Sequence, residues 1–196
     1  AARIARQLGA DEPTIELIRL AGNLHDLGKL AIPEELLRKP TALSDAERLV
    51  LERHPQIGYR MLESLGVEPV AEWVLHHHER WDGAGYPMGL RHEEIPLAAR
   101  VFAIADSFDA MTNDRPYRKA LSAEHAVDEI VLGACSQFDP DVVQIFLDLI
   151  DEDPSVLGVD DGAVAGLLFG RSYAHGEGDD VDEHDWHKLE TGRITM

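Results

Sequence analysis

Ten histidines occur in this chain of 196 residues, and those that could do chemistry are spread over separate segments. His25 and Asp26 are adjacent near the end of an apolar-periodic stretch and are followed by Leu27-Gly28-Lys29. His54 precedes Pro55 at the start of another such stretch. His76-His77-His78 closes an otherwise apolar segment and runs into Glu79, and Asp106 interrupts the apolar run from Val101 to Ala105. Imidazole and carboxylate donors without thiolates suit Fe, Mn, Zn or Mg rather than a structural thiolate zinc site. Neighbouring residues on a helix point about 100° apart, so a His-Asp pair either contacts one ion jointly or lets the carboxylate bridge two. Alone, such a pair is usually a surface pair. Asp106 could cap or pair with a cation, but it sits mid-helix, where no cap is needed and an unpartnered buried carboxylate is costly. Four segments each offering His or Asp point to more than one metal ion.

The elements that must carry these residues read as helices. Asp11 with Pro13 is a helix start, and Ile15, Ile18 and Ala21 recur at helical spacing behind it. Ser44 and Glu47 form a capping box, Pro55, Pro69, Pro96 and Pro140 precede apolar-periodic segments, and Gly9, Gly66 and Gly133 mark stops. The expected fold is an all-α bundle with helices near 1–8, 12–28, 34–38, 45–53, 55–65, 69–80, 96–111, 123–133 and 140–151. Residues 81–95, WDGAGYPMGLRHEEI, form a loop long enough to suggest function. Cys135 is expected to be a small buried residue near a helix end. Residues 151–196 turn acidic and glycine-rich and are expected to be a partly disordered appendage to a domain spanning 1–150.

HDLGK, the isolated HP at 54–55, HHERWDGAGYP, RVFAIADSFDAMTNDRPYR and the later FDP stand in an order that resembles the HD-GYP subgroup of the HD phosphohydrolases. The resemblance covers residues 1 to 150. It implies a helical bundle holding two divalent ions, Fe or Mn first and Zn or Mg as alternatives, and hydrolysis of cyclic di-GMP to linear pGpG and onward to GMP. It also implies that His25, Asp26, His54, His77, His78 and Asp106 are metal ligands, with Asp26 bridging. Lys29, Arg115 and Arg118 would contact substrate phosphate, and His76 would sit behind the ligands. Tyr86 of the Gly85-Tyr86-Pro87 segment would shape the pocket rim, stack on guanine, dock a partner or simply anchor the loop. A third ion depends on an earlier helix with a further histidine or glutamate, and AARIARQLG at the start resembles the end of that helix. Arg91-His92 stands where relatives commonly have glycine; His92 reads as an exposed loop residue.

Charge sets limits on partners. With 37 acidic and 18 basic residues the net charge is −19, and a nucleic-acid surface, which needs a basic face, is excluded. Residues 151–196 hold 12 acids and 3 bases, and among their histidines the His184-x-x-His187 pair reads as solvated. No apolar run approaches the roughly 20 residues of a membrane span. A single cysteine and no secretory h-region fit a reducing, cytoplasmic setting. The start at Ala1 reads as the interior of a longer protein, with a sensory or receiver domain upstream. Rival readings are hydrolysis of another cyclic (di)nucleotide, and a non-catalytic module that senses nucleotide or docks a diguanylate cyclase through the GYP loop.

Overall fold

The computed structural model of the chain describes residues 1–114 and 119–157. Arg115, Arg118, the histidines of the C-terminal extension and most of that extension lie outside the described residues. The helices are α1 (Ala2–Gln7), α2 (Glu12–Leu24), α3 (Glu34–Leu37), α4 (Asp45–Leu51), α5 (His54–Glu63), α6 (Val70–Leu75), α7 (Leu97–Thr112), α8 (Ala123–Leu132) and α9 (Pro140–Glu152). Short 3-10 turns lie at Leu27–Ala31, His92–Glu94 and Pro154–Leu157. Among the described residues there is no strand, only an isolated bridge between Ala134 and Phe138. The all-α expectation holds.

The starts follow from local chemistry. The Asp11 carboxylate accepts from the Thr14 amide at 3.0 Å, and Pro13 lies in the first turn of α2. Ser44 and Glu47 close a reciprocal capping box at α4, and Ser122 caps α8. Two ends come earlier than the periodicity suggests. α2 stops at Leu24 and α6 at Leu75, because the chain turns away at His25-Asp26 and again at His76-His77-His78. His25, Asp26, His77 and His78 therefore occupy turns at helix ends, while His54 opens α5 and Asp106 lies within α7.

Helix α7 divides two apolar cores. Ala98 and Phe102 pack with Ile15, Ile18, Leu62, Val70 and Val74 of α2, α5 and α6, while Val101, Ile104 and Met111 pack with α8 and α9. Each such Ile, Val or Phe withdrawn from water contributes roughly 1.5–3 kcal/mol. Leu157, past the end of α9, is also buried in the second core. A smaller cluster of Ile32, Leu36, Leu37 and Leu51 joins α3 to the end of α4.

Cys135 departs from expectation: it is exposed, with φ 64° in the turn between α8 and α9. Gly133 follows the last residue of α8, and the Phe138 ring lies over it: a Cβ there would meet the ring at 2.7 Å.

One close approach positions the site. Gly28, in the turn after Asp26, lies directly on α5, where an added Cβ would run into the His54 carbonyl oxygen and come within 2.7 Å of the Gly58 amide. Gly58 supplies the matching gap in α5. Backbone touches backbone here, and the His25-Asp26 turn is brought against His54.

Candidate metal centre

Three helix ends converge. His25 follows α2, His54 follows α4 by three residues, and His77 follows α6 by two. Each ring donates its Nδ1–H to the carbonyl three residues earlier: His25 to Gly22 at 2.7 Å, His54 to Leu51 at 2.9 Å and His77 to Val74 at 2.7 Å. The rings thus use carbonyls that a helix C-terminus leaves unsatisfied. In a neutral imidazole the proton on Nδ1 leaves Nε2 as a bare acceptor. All three Nε2 atoms are free for a cation.

Those nitrogens face one another. His54 and His77 Nε2 are 3.4 Å apart, and His54, His77 and His78 each place a ring nitrogen within 4.8 Å of the other two. The His78 Nε2 is buried with no hydrogen-bond partner. Burial holds His54 down to about 4 and His77 to about 3, and burial also pushes His78 well below its ordinary value. Two unprotonated lone pairs at 3.4 Å repel each other unless a cation lies between them. Donors about 2.1 Å from a shared tetrahedral ion stand roughly 3.4 Å apart, so this cluster fits a divalent metal.

Asp26 spans the mouth of the cluster. Its Oδ1 lies 3.6 Å from His54 Nε2 and its Oδ2 lies 3.5 Å from His25 Nε2. Asp106 Oδ1 stands 3.7 Å from the same His25 nitrogen. Asp106 is 39% exposed at its side chain, so no deep carboxylate burial is involved. Lys29, almost wholly buried, donates to Asp26 Oδ2 at 2.8 Å. Burial opposes ionisation of Asp26, but the charge and hydrogen bond of the Lys29 ammonium outweigh it and hold the carboxyl below its ordinary range. The structure thus brings His25, Asp26, His54, His77, His78 and Asp106 together.

The neighbouring histidines behave differently. His76 turns to Glu79, with Nδ1 3.7 Å from Oε1. His92 is exposed and meets Trp81 edge-on at 5.0 Å. Tyr86 stacks on His78, with ring centroids 4.9 Å apart at 27°. Glu79 and Asp139 were not among the expected site residues, although Glu79 directly follows the histidine run. Asp139, of the FDP motif, forms a buried pair with Arg100 at 2.6 Å and accepts from the Asp141 amide to start α9.

A family model described as HD domain matches residues 1–142. The chain belongs to the HD domain family. Its HDLGK and HHERWDGAGYP motifs, both at the histidine cluster, place this HD domain in the HD-GYP subgroup. It is 39% identical over 184 residues to a cyclic di-GMP phosphodiesterase of Thermotoga maritima, covering 92% of this chain and 50% of that protein. It is 43% identical over 147 residues to the cyclic di-GMP phosphodiesterase response regulator RpfG of Xanthomonas campestris, covering 74% and 39%. A solved cyclic GMP-AMP specific phosphodiesterase of Vibrio cholerae superposes with a TM-score of 0.59 at 23% identity, over 83% of this chain and 45% of that chain, a likeness of fold. The HD domain spans about half or less of the length of these curated relatives. Among the described residues no helix is long and apolar enough to cross a membrane.

Proposed function

We propose that this HD domain is a metal-dependent phosphodiesterase that opens cyclic di-GMP to linear pGpG, with GMP as the product of a second cut. One observation carries the reading: the two oxygens of Asp26 reach toward different imidazoles, His54 on the buried side and His25 on the open side. That is the disposition of a bridging carboxylate between two ion positions. His54, His77 and His78 would hold the inner ion, His25 and Asp106 the outer one, and Asp26 both. Nitrogen and oxygen donors in this number favour Fe or Mn, with Zn or Mg as weaker fits. Divalent ions held there supply Lewis acidity toward a phosphodiester and acidify water at neutral pH.

The chain's own residues do the rest. The Lys29 ammonium keeps two protons beyond its bond to Asp26, and these serve a phosphate oxygen. Arg115 and Arg118 add charge-assisted contacts that hold an anionic substrate on an acidic protein. The Tyr86 ring, seated on His78, provides an aromatic wall suited to a purine face. The relative titled a response regulator supports an upstream receiver domain in the full-length protein, and the GYP loop is a candidate surface for a diguanylate cyclase domain. The setting would be the cytoplasm.

The test uses the chain loaded with Fe(II) or Mn(II) and a panel of cyclic di-GMP, 3′,3′-cyclic GMP-AMP and cyclic mononucleotides. Cyclic di-GMP should be the best substrate. Asp26→Asn should abolish turnover and lower metal content, while His76→Ala should do much less. Full activity in metal-replete Asp26→Asn protein would refute the bridging mechanism. Preferential turnover of cyclic GMP-AMP would move the assignment to that substrate on the same site.

A further inference from the structure

The loop after the ligand turn is held by a carboxylate that the proposed reaction does not use. Glu79 follows His77-His78 directly, and its side chain is wholly buried. Burial of a carboxylate is costly unless hydrogen bonds satisfy its oxygens. Here they come from the GYP loop: the Met88 amide donates to Oε1 at 2.7 Å and the Leu90 amide to Oε2 at 3.1 Å. Gly89 between them, at φ 65°, supplies the left-handed turn that aims both amides at one carboxylate.

What this clamp holds in place is Tyr86. The Tyr86 amide donates to the His78 carbonyl at 3.2 Å, and its ring lies against the His78 imidazole. Gly85 lets the loop lie this close: a Cβ there would meet Glu79 Cα and the His78 oxygen, each at 2.6 Å. The loop's earlier part is fastened elsewhere, with Trp81 and Asp82 amides donating to Gln137 and Ser136 at 3.1 and 2.8 Å. Glu79 therefore ties the far half of the loop to the same turn that presents His77 and His78.

We infer that Glu79 is a positioning residue: it fastens Met88 and Leu90 so that the Tyr86 ring stays seated on His78 and the imidazole keeps its aim at His54 and His77. Its consequence for turnover rests on the function proposed above; the clamp itself does not.

Glu79→Gln keeps the shape but turns one acceptor into a donor, so one of the two amide bonds is lost. In the metal-free full chain, hydrogen exchange at Met88 and Leu90 should accelerate roughly tenfold or more, while α2 and α5 stay unchanged. The upfield ring-current shift of the His78 imidazole protons, which Tyr86→Ala removes, should shrink in Glu79→Gln. In the loaded protein, kcat/KM for cyclic di-GMP should fall about tenfold at unchanged metal content. Glu79→Gln added to Tyr86→Ala should cost less than twofold more, because Glu79 acts through Tyr86. Should Glu79→Gln not fold, Glu79→Asp, a carboxylate one methylene short, carries the same readouts. Unchanged amide exchange and ring-current shift would overturn the inference, as would losses that simply multiply in the double variant. Wild-type protein that hydrolyses no cyclic dinucleotide would instead sink the functional reading, and the exchange and ring-current measurements would still decide the clamp.

Discussion

Replacing Gly28 with alanine asks how much the centre depends on two backbones touching. The new Cβ would strike the His54 carbonyl oxygen and lie 2.7 Å from the Gly58 amide and 2.8 Å from the His54 carbonyl carbon. Both obstacles are main chain, so neither can rotate aside. Overpacking costs roughly 1–3 kcal/mol when side chains yield, and with backbone on both sides we expect about 3 kcal/mol. In a domain of this size that lowers Tm by roughly 6–12 °C. Gly58→Ala enters the same contact from α5, but there the nearest atom is a Val74 methyl at 3.2 Å. A methyl can give by a few tenths of an ångström, and alanine gains about 1 kcal/mol of helix propensity. Gly58→Ala should stay within about 1 kcal/mol of wild type. Urea unfolding of the metal-free proteins by circular dichroism measures both, and metal content after loading reports on the centre. Gly28→Ala should also bind less metal, since the Leu27–Ala31 turn must move off His54. A Gly28→Ala protein within about 0.5 kcal/mol of wild type, or no worse than Gly58→Ala, would refute this account.

The metal-free protein should lose stability on acidification. Its buried histidines have folded-state values of about 4 for His54 and about 3 for His77, below the ordinary 6.5, so the unfolded chain binds more protons and stability, full above pH 6.5, is lost as the pH falls toward those values. At pH 5 His54 and His77 each cost roughly 2 kcal/mol, His78 shifts in the same direction, and a urea midpoint that stays flat from pH 7.5 to 5 would contradict their burial as neutral rings. Asp139→Asn keeps an acceptor for the Asp141 amide but removes the negative partner of Arg100, whose side chain is only 16% exposed; the expected loss is about 3 kcal/mol by chemical denaturation. Arg115→Ala or Arg118→Ala should leave metal content intact and lower kcat/KM about tenfold, with added salt weakening wild type more than the double variant; unchanged kinetics would return these arginines to ordinary surface residues.

Sequence carried the ligand chemistry further than it carried the geometry. Separate segments offering His or Asp hinted at a shared centre, but the choice of residues 25, 26, 54, 77, 78 and 106 came from the resemblance of their motifs to the HD-GYP pattern rather than from burial, since Asp26 and Asp106 stay partly exposed. Helix starts were legible through Asp11, Ser44 and the prolines, whose effects reach only a few residues along the chain. Helix ends at His25 and His76 were not, because the signals that break α2 and α6 come from ring-to-carbonyl bonds and from the contact of Gly28 with α5. Gly28 resembles any glycine until His54 lies against it. Cys135 was misjudged for a similar reason: the Phe138 ring takes the inside of that turn, and the cysteine is left facing water.

The bonds from His25, His54 and His77 to main-chain carbonyls have a consequence for how such a protein can drift. Many metal centres fix the orientation of their histidines with an outer carboxylate, and a mutation there retunes the metal. Here the orienting group is a peptide bond, present whatever residue occupies positions 22, 51 or 74. No single substitution at those positions, short of one that unwinds the helix end, can flip the tautomer. Variation in ion preference among descendants of this sequence must therefore enter through Asp26 with its lysine, through Asp106, or through the loop lying on His78. The aim of His25, His54 and His77 would remain the same across them.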